Sequence, residues 1–210
     1  MAEPNIHAGL TFWTDWSYIG DMTAGRPLQF NPEASLEQAM ETFWAQGYEA
    51  TSLQDLLDAT GLSKSSLYQQ FGGKSDLFDR CLQHYCLTRA AAMRERLDAA
   101  ESGRAFIADS FYGIADGASG TAGQWGCLLM NTANELGQRD PLTADQIAAG
   151  KEGFAKVFRA AIERAQREGD LPPERDSRAL ADFLVSNMSG LQTLLKTAMV
   201  ASTRVPSSGC

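Results

Sequence analysis

The sequence predicts an all-α protein, and three observations carry that expectation. Apolar residues recur at three- and four-residue spacing through most of the chain, runs of β-branched residues are nearly absent, and Gly-, Pro- and Asp-rich breaks such as "DGASGTAGQWG", "GQRDP" and "EGDLPPERD" separate the periodic segments. With 210 residues and 44% hydrophobic content the chain can bury a core without disulfide or metal staples.

The helices follow in order. Asn31 is a suitable N-cap, Pro32 suits the first helical position and Glu33 suits the positive end of the dipole. Leu36, Ala39, Met40, Phe43 and Trp44 then share one face, and Gly47 stops the helix. Thr51-Ser52-Leu53-Gln54 reads as a capping box led by Thr51, opening a short helix that turns Leu53, Leu56 and Leu57 inward and ends at Gly61. Ser63 caps a third helix that buries Leu67 and Phe71 and breaks at Gly72-Gly73. A fourth begins near Ser75, carries Leu77, Phe78, Cys81, Leu82 and Tyr85 on one stripe and runs to about Leu97. Further helices are predicted over Ala105–Ala115, Cys127–Leu136, Thr143–Arg167 and Ser177–Ala201. The last two are long and amphipathic. Phe154, Val157, Phe158, Ala161 and Ile162 stripe one of them; Leu180, Phe183, Leu184, Leu191, Leu194 and Leu195 stripe the other.

Charge and cysteine usage narrow the function. A formal net charge of −8 argues against a protein that coats nucleic acid non-specifically, although it leaves room for one positive contact face. Cys81, Cys86, Cys127 and Cys210 show no zinc-type spacing, and His7 and His84 are far apart, so neither a metal nor a cofactor is expected. A reduced, cytoplasmic thiol state fits this usage. No apolar run reaches the length of a membrane span, and the N-terminus lacks the pattern of a signal peptide.

One stretch, "GLSKSSLYQQFGGKSDLF", poses the functional question. Its Gly-Lys-Ser suggests a phosphate-binding loop, but that motif needs a first glycine where this chain has Tyr68, and no strand precedes it. The nucleotide-hydrolase reading fails there, and no base–nucleophile pair points to another enzyme. Two short helices joined at Gly61-Leu62 instead match a helix-turn-helix. With Leu67 and Phe71 inward, Ser63, Lys64, Ser65, Ser66, Tyr68 and Gln69 are left outward or lateral, and Tyr68 also admits a core position. From Gly61 to Ser75 the only charges are Lys64 and Lys74, a local excess of two cations in an acidic chain.

The segment Phe43 to Tyr85 resembles the DNA-binding domain of the tetracycline-repressor (TetR/AcrR) family of bacterial regulators. The resemblance rests on a Gly-Tyr-x-x-Thr-Ser opening, a Gly-Leu-Ser turn, Leu-Tyr-x-x-Phe and Lys-x-x-Leu-Phe. "GRPLQFNPEASLEQAM" also resembles the family's lead-in, which makes Met22 the expected natural start; the alternative for residues 1–21 is an ordered arm. The resemblance implies a homodimer, paired through the two C-terminal helices, that binds a double-stranded operator and is released by a small-molecule inducer. Residues 1–30 would form an extension and arm, 31–76 the DNA-binding domain, 77–202 the ligand-binding and dimerisation domain, and 203–210 a loose tail.

By position, the resemblance puts Thr51 on a phosphate while it caps the second helix. Lys64, Ser65, Ser66 and Gln69 would probe the major groove, with Ser63 at its edge as a cap. Tyr68 and Lys74 would grip the backbone, and Arg26 in the arm would reach the minor groove. Phe106, Phe111, Tyr112, Trp125, Met130, Asn134 and Met188 supply aromatic, soft and polar groups for an inducer pocket, and most of them suit a core equally well. Cys127 reads either as a small core residue or as a thiol sensor at a helix N-terminus. Cys81 and Cys86, five positions apart on one helix, read as packing residues. The competing reading from another class is a helical small-molecule or lipid-binding protein that no longer binds DNA.

Overall fold

The computed structural model describes residues 31–117, 121–138 and 141–202. The extension with Arg26 and Met22, and the tail with Cys210, lie outside the described residues. Within them the chain forms nine helices and no strand: α1 (Pro32–Gln46), α2 (Leu53–Thr60), α3 (Lys64–Phe71), α4 (Lys74–Ala99), α5 (Gly103–Gly117), α6 (Thr121–Trp125), α7 (Leu128–Leu136), α8 (Pro141–Glu168) and α9 (Ser177–Ser202). All but α6 were legible from periodicity. Five residues are too few to show a period, and Gly123 interrupts them.

The three-helix unit is solid. Ala39, Met40 and Phe43 of α1, Leu56 of α2, Leu62 of the turn and Leu67 and Phe71 of α3 are buried together with Leu77 and Phe78 of α4. Phe43 meets Phe78 edge-on at 4.9 Å between ring centroids, a pairing that adds about 0.5–1.5 kcal/mol to the area it buries. Gly61 makes the tight turn possible. It adopts φ 66° and donates its N–H to the Leu57 carbonyl at 2.9 Å, a left-handed geometry that side chains with a Cβ adopt at a cost of about 1–2 kcal/mol.

The start of α2 corrects the expected capping box. Its N-cap is Ser52, not Thr51: the Ser52 hydroxyl accepts from the Asp55 N–H at 3.1 Å, and the Asp55 carboxylate accepts from the Ser52 N–H at 2.7 Å. A capping box needs an acceptor three residues after the cap, and Asp55 fills that place better than Gln54, which donates to Asp58 instead.

The larger helical unit is built on α8, which packs against α4, α5, α7 and α9. Phe154, Val157, Phe158, Ala161 and Ile162 form its buried stripe, as the spacing predicts, with Ala165 extending it. At the α4–α5 corner, Arg164 of α8 donates to the carbonyls of Leu97, Ala100 and Glu101 at 2.9–3.0 Å. Its neighbour Glu168 accepts from the Gly103 N–H at 2.8 Å and from Arg164 at 2.6 Å. Gly103 sits against the α8 backbone so closely that a Cβ there would collide with the Ala161 carbonyl and the Ala165 amide.

Candidate DNA interface and ligand cavity

The sequence of α3 divides it into an inner and an outer face. Leu67 and Phe71 are buried; Lys64, Ser65, Tyr68 and Gln69 are exposed. Tyr68, whose position the spacing left open, is 48% exposed and stands on the outer face. Ser63 is the N-cap as expected, its hydroxyl accepting from the Ser66 N–H at 3.1 Å, and it also lies 3.0 Å and 2.8 Å from the Ser65 and Ser66 hydroxyls. The three serines are thus tied into one local network at the front of the helix.

Lys74 is the first residue of α4, where Gly73 caps the helix without a side-chain bond. Its ammonium lies 4.4 Å from the centre of the Tyr48 ring. Thr51 does not fit its expected role. It is fully buried and its hydroxyl donates inward to the Gly47 carbonyl at 2.6 Å, so the side chain is turned away from any phosphate.

Behind this unit, a cavity of about 940 Å³ opens between α4, α5, α7, α8 and α9. The reason is visible in α4: between Tyr85 and Leu97 it buries no residue, and Arg89, Ala92, Met93 and Arg96 line the hollow instead. Met130, Asn134, Met188 and Cys127, singled out from the sequence, are in its wall. Phe106, Phe111, Tyr112 and Trp125 are not. Phe106 is core against Phe158, Phe111 is half-buried, Tyr112 is exposed, and Trp125 packs edge-on against Trp44 at 5.5 Å.

The wall residues that the sequence did not suggest include Trp44, Tyr85, Arg89, Arg96 and Lys151. Trp44 belongs to α1, so the DNA-side unit supplies part of the cavity. Its indole N–H donates to the Gly126 carbonyl at 3.0 Å, just before α7. Tyr85 meets Trp44 edge-on at 5.1 Å, and the Arg89 guanidinium lies over both rings. A second connection runs beside it: the Glu135 carboxylate of α7 accepts from the backbone N–H groups of Tyr48 and Glu49 at 3.0 Å and 2.7 Å.

The cysteines near the cavity differ. Cys127 is the N-cap residue of α7 and takes the Tyr85 O–H at 3.6 Å. Burial holds the Tyr85 hydroxyl well above its ordinary pKa, and the neighbouring Cys127 raises it further, so Tyr85 remains a proton donor. Burial pushes the Cys86 thiol up to about 12, with Cys127 adding to the rise, and burial also raises Cys81. Both stay protonated at neutral pH, as packing residues do, and both are free thiols.

Family models match both units. One describing bacterial regulatory proteins of the tetR family matches residues 36–81, and one describing the tetracyclin repressor-like C-terminal domain matches residues 104–202. The HTH-type transcriptional repressor ComR of Escherichia coli K12 is 32% identical over 179 residues, covering 85% of this chain and 85% of the relative. The chain belongs to the TetR family. The HTH-type transcriptional regulator YezE of Bacillus subtilis 168 is 33% identical over 173 residues, or 82% of this chain and 89% of that one.

Solved TetR structures agree with the fold. A cysteine mutant of the regulator CifR complexed with a 26-bp double-strand operator DNA is 30% identical, covers 83% of this chain and 91% of its own, and superposes with a TM-score of 0.69. Reduced NemR of E. coli, at 19% identity, covers 81% of this chain and 87% of its own with a TM-score of 0.71, which establishes the shared fold. In TetR terms, α1–α3 are the helix-turn-helix domain, α4 the connector and α5–α9 the C-terminal domain. The chain is therefore a transcriptional regulator with a helix-turn-helix. Among the described residues no helix is long and apolar enough to cross a membrane, and no cluster of side chains has the makings of a metal site.

Proposed function

We propose that this regulator acts in the cytoplasm as a repressor, occupying its operator as a dimer and leaving it when a small molecule fills the cavity. The observation that supports the DNA side is the split of α3, a helix without acidic residues, with Leu67 and Phe71 inward and Lys64, Ser65, Tyr68 and Gln69 outward. In this reading Lys64, Ser65 and Gln69 face base edges, with Ser63 and Ser66 at the front of the helix. Tyr68 and Lys74 meet phosphates, Lys74 from the first position of α4, where the helix dipole favours an anion. Thr51 holds the turn after α1 from inside and makes no phosphate contact.

Dimerisation uses α8 and α9. Phe183 and Leu194 stand 62% and 68% exposed, three turns apart on one face of α9, and a second copy of the same face would bury them. The cavity reaches the DNA unit by two routes, the Trp44 indole on Gly126 and the Glu135 carboxylate on the Tyr48 and Glu49 amides. A ligand that displaces the start of α7 would shift α1 through both and change the spacing of the two recognition helices.

Gel-shift titrations on the gene's own upstream promoter test this. Lys64→Ala and Lys74→Ala are each expected to weaken binding and to reduce the slope of log K against log salt by about 1. Failure of the unaltered protein to shift that DNA would favour a helical ligand-binding protein without DNA binding. A second reading makes Cys127 a sensing thiol; its place in the cavity wall, beside the Tyr85 hydroxyl, favours it. A Cys127→Ser variant that keeps its full inducer response in a reporter strain discards that reading.

A further inference from the structure

The cavity's charge is lopsided. Its lining includes three cations, Arg89, Arg96 and Lys151, and no aspartate or glutamate, in a chain whose acidic residues outnumber its basic ones by 26 to 18. None of the three has an ion-pair partner among the described residues. Other arginines are already engaged: Arg164 spends its donors on three carbonyls and Glu168, and Arg94 pairs with Asp98.

Arg89 is oriented as well as unpaired. Its guanidinium lies 5.2 Å from the Trp44 ring centre and 5.6 Å from that of Tyr85. Aromatic rings take the face of a guanidinium and leave its in-plane N–H donors for a planar anion. Arg96 stands seven residues further along α4, two turns on and on the same side, and Lys151 approaches from α8. The rest of the wall is uncharged: Met93, Leu129, Met130, Ile147, Phe154 and Met188 give it an apolar stretch, and Asn134, Gln192 and several hydroxyls supply neutral polar groups.

Resting on the reading of this cavity as the inducer site, we propose that its ligand is an amphipathic anion whose carboxylate, or a comparable planar acid group, docks on Arg89. Its apolar body lies along Leu129, Met130 and Phe154, and Arg96 and Lys151 deepen the positive field at the head. A neutral or cationic molecule of the same length gains the apolar contacts and forfeits the charge-assisted hydrogen bonds.

Calorimetric titration of the full chain with decanoate, decanol and decyltrimethylammonium, all below micelle formation, tests this. Decanoate is expected to bind at least about tenfold more tightly than decanol, and the cation more weakly than either. Arg89→Gln is expected to abolish the preference for decanoate while leaving decanol unchanged. Arg89 also packs on two rings, so circular dichroism checks its folding. Arg96→Gln and Lys151→Gln, both at exposed positions, provide a parallel test in which the preference shrinks by about threefold or more each.

Equal binding of decanoate and decanol, no binding of decanoate, tighter binding of the cation, or an unchanged preference in folded Arg89→Gln would each overturn the proposal. Promoter gel shifts on the same samples separate it from the broader reading. Operator binding without the anion preference sinks the ligand class alone, and the preference without operator binding sinks the repressor reading alone.

Discussion

The three-helix unit and the domain behind it use the same kind of helix to opposite ends. In the first, each short helix spends its apolar residues on one filled core, so that α3 can hold a polar face still. In the second, α4 loses its buried stripe for more than two turns and leaves a hollow beside Arg89 and Arg96. Reading a DNA groove needs a rigid outer surface, whereas receiving a ligand needs an inner surface that is unfinished without it.

The largest expected effect breaks the filled side. Leu67→Ala deletes a fully buried side chain from the unit's core and is expected to cost about 3 kcal/mol, within the usual 2–5 for such sites. Met130→Ala, at a half-buried position on the cavity wall, removes a group that already lacks neighbours on one side and should cost about 1 kcal/mol or less. Denaturant melts of the two variants compare solid and hollow directly. Equal losses would mean that the cavity is closed up in solution.

A smaller effect separates stability from recognition at the front of α3. Ser63→Ala removes the N-cap acceptor and is expected to lower stability by about 1 kcal/mol. Ser63→Asp keeps an acceptor, so its thermal midpoint should stay near that of the native chain, yet the new negative charge should weaken operator binding by tenfold or more. If Ser63→Asp binds DNA normally, the front of α3 does not approach the phosphates.

The smallest effect belongs to the far corner. The Gly103 N–H and then Arg164 hold the Glu168 carboxyl below the usual carboxylate range. A group whose pKa is lowered by folding adds stability above its unfolded value, near 4.5, and loses it as pH falls through the folded value. Glu168→Gln should therefore lower the thermal midpoint slightly at pH 7, and the difference from the native chain should shrink as the pH falls below about 4.5, which flattens the acid limb.

The same contrast explains what the sequence disclosed. Caps, turns and buried spacing are local, so the extents of α1 to α4 and the outward face of α3 could be read in advance. Where two local solutions competed, as at Thr51 and Ser52, the choice fell to a contact with Gly47 that spacing does not encode. The cavity was the opposite case. Phe106 and Trp125 have the composition of a pocket and are used elsewhere, while Trp44, Arg89 and Lys151 come from three separate helices that only the fold brings together. No periodicity announces a space between helices.

Trp44 has a consequence for anyone who would recombine such regulators. A cut at α4 looks like a clean seam for exchanging one DNA-reading module for another, since the helix runs unbroken across it. Such a graft would carry away one wall of the ligand chamber and the indole that fastens it to Gly126. Chimeras of this chain should inherit position 44 and the turn at 47–49 with the C-terminal half, or their ligand response will change along with their operator.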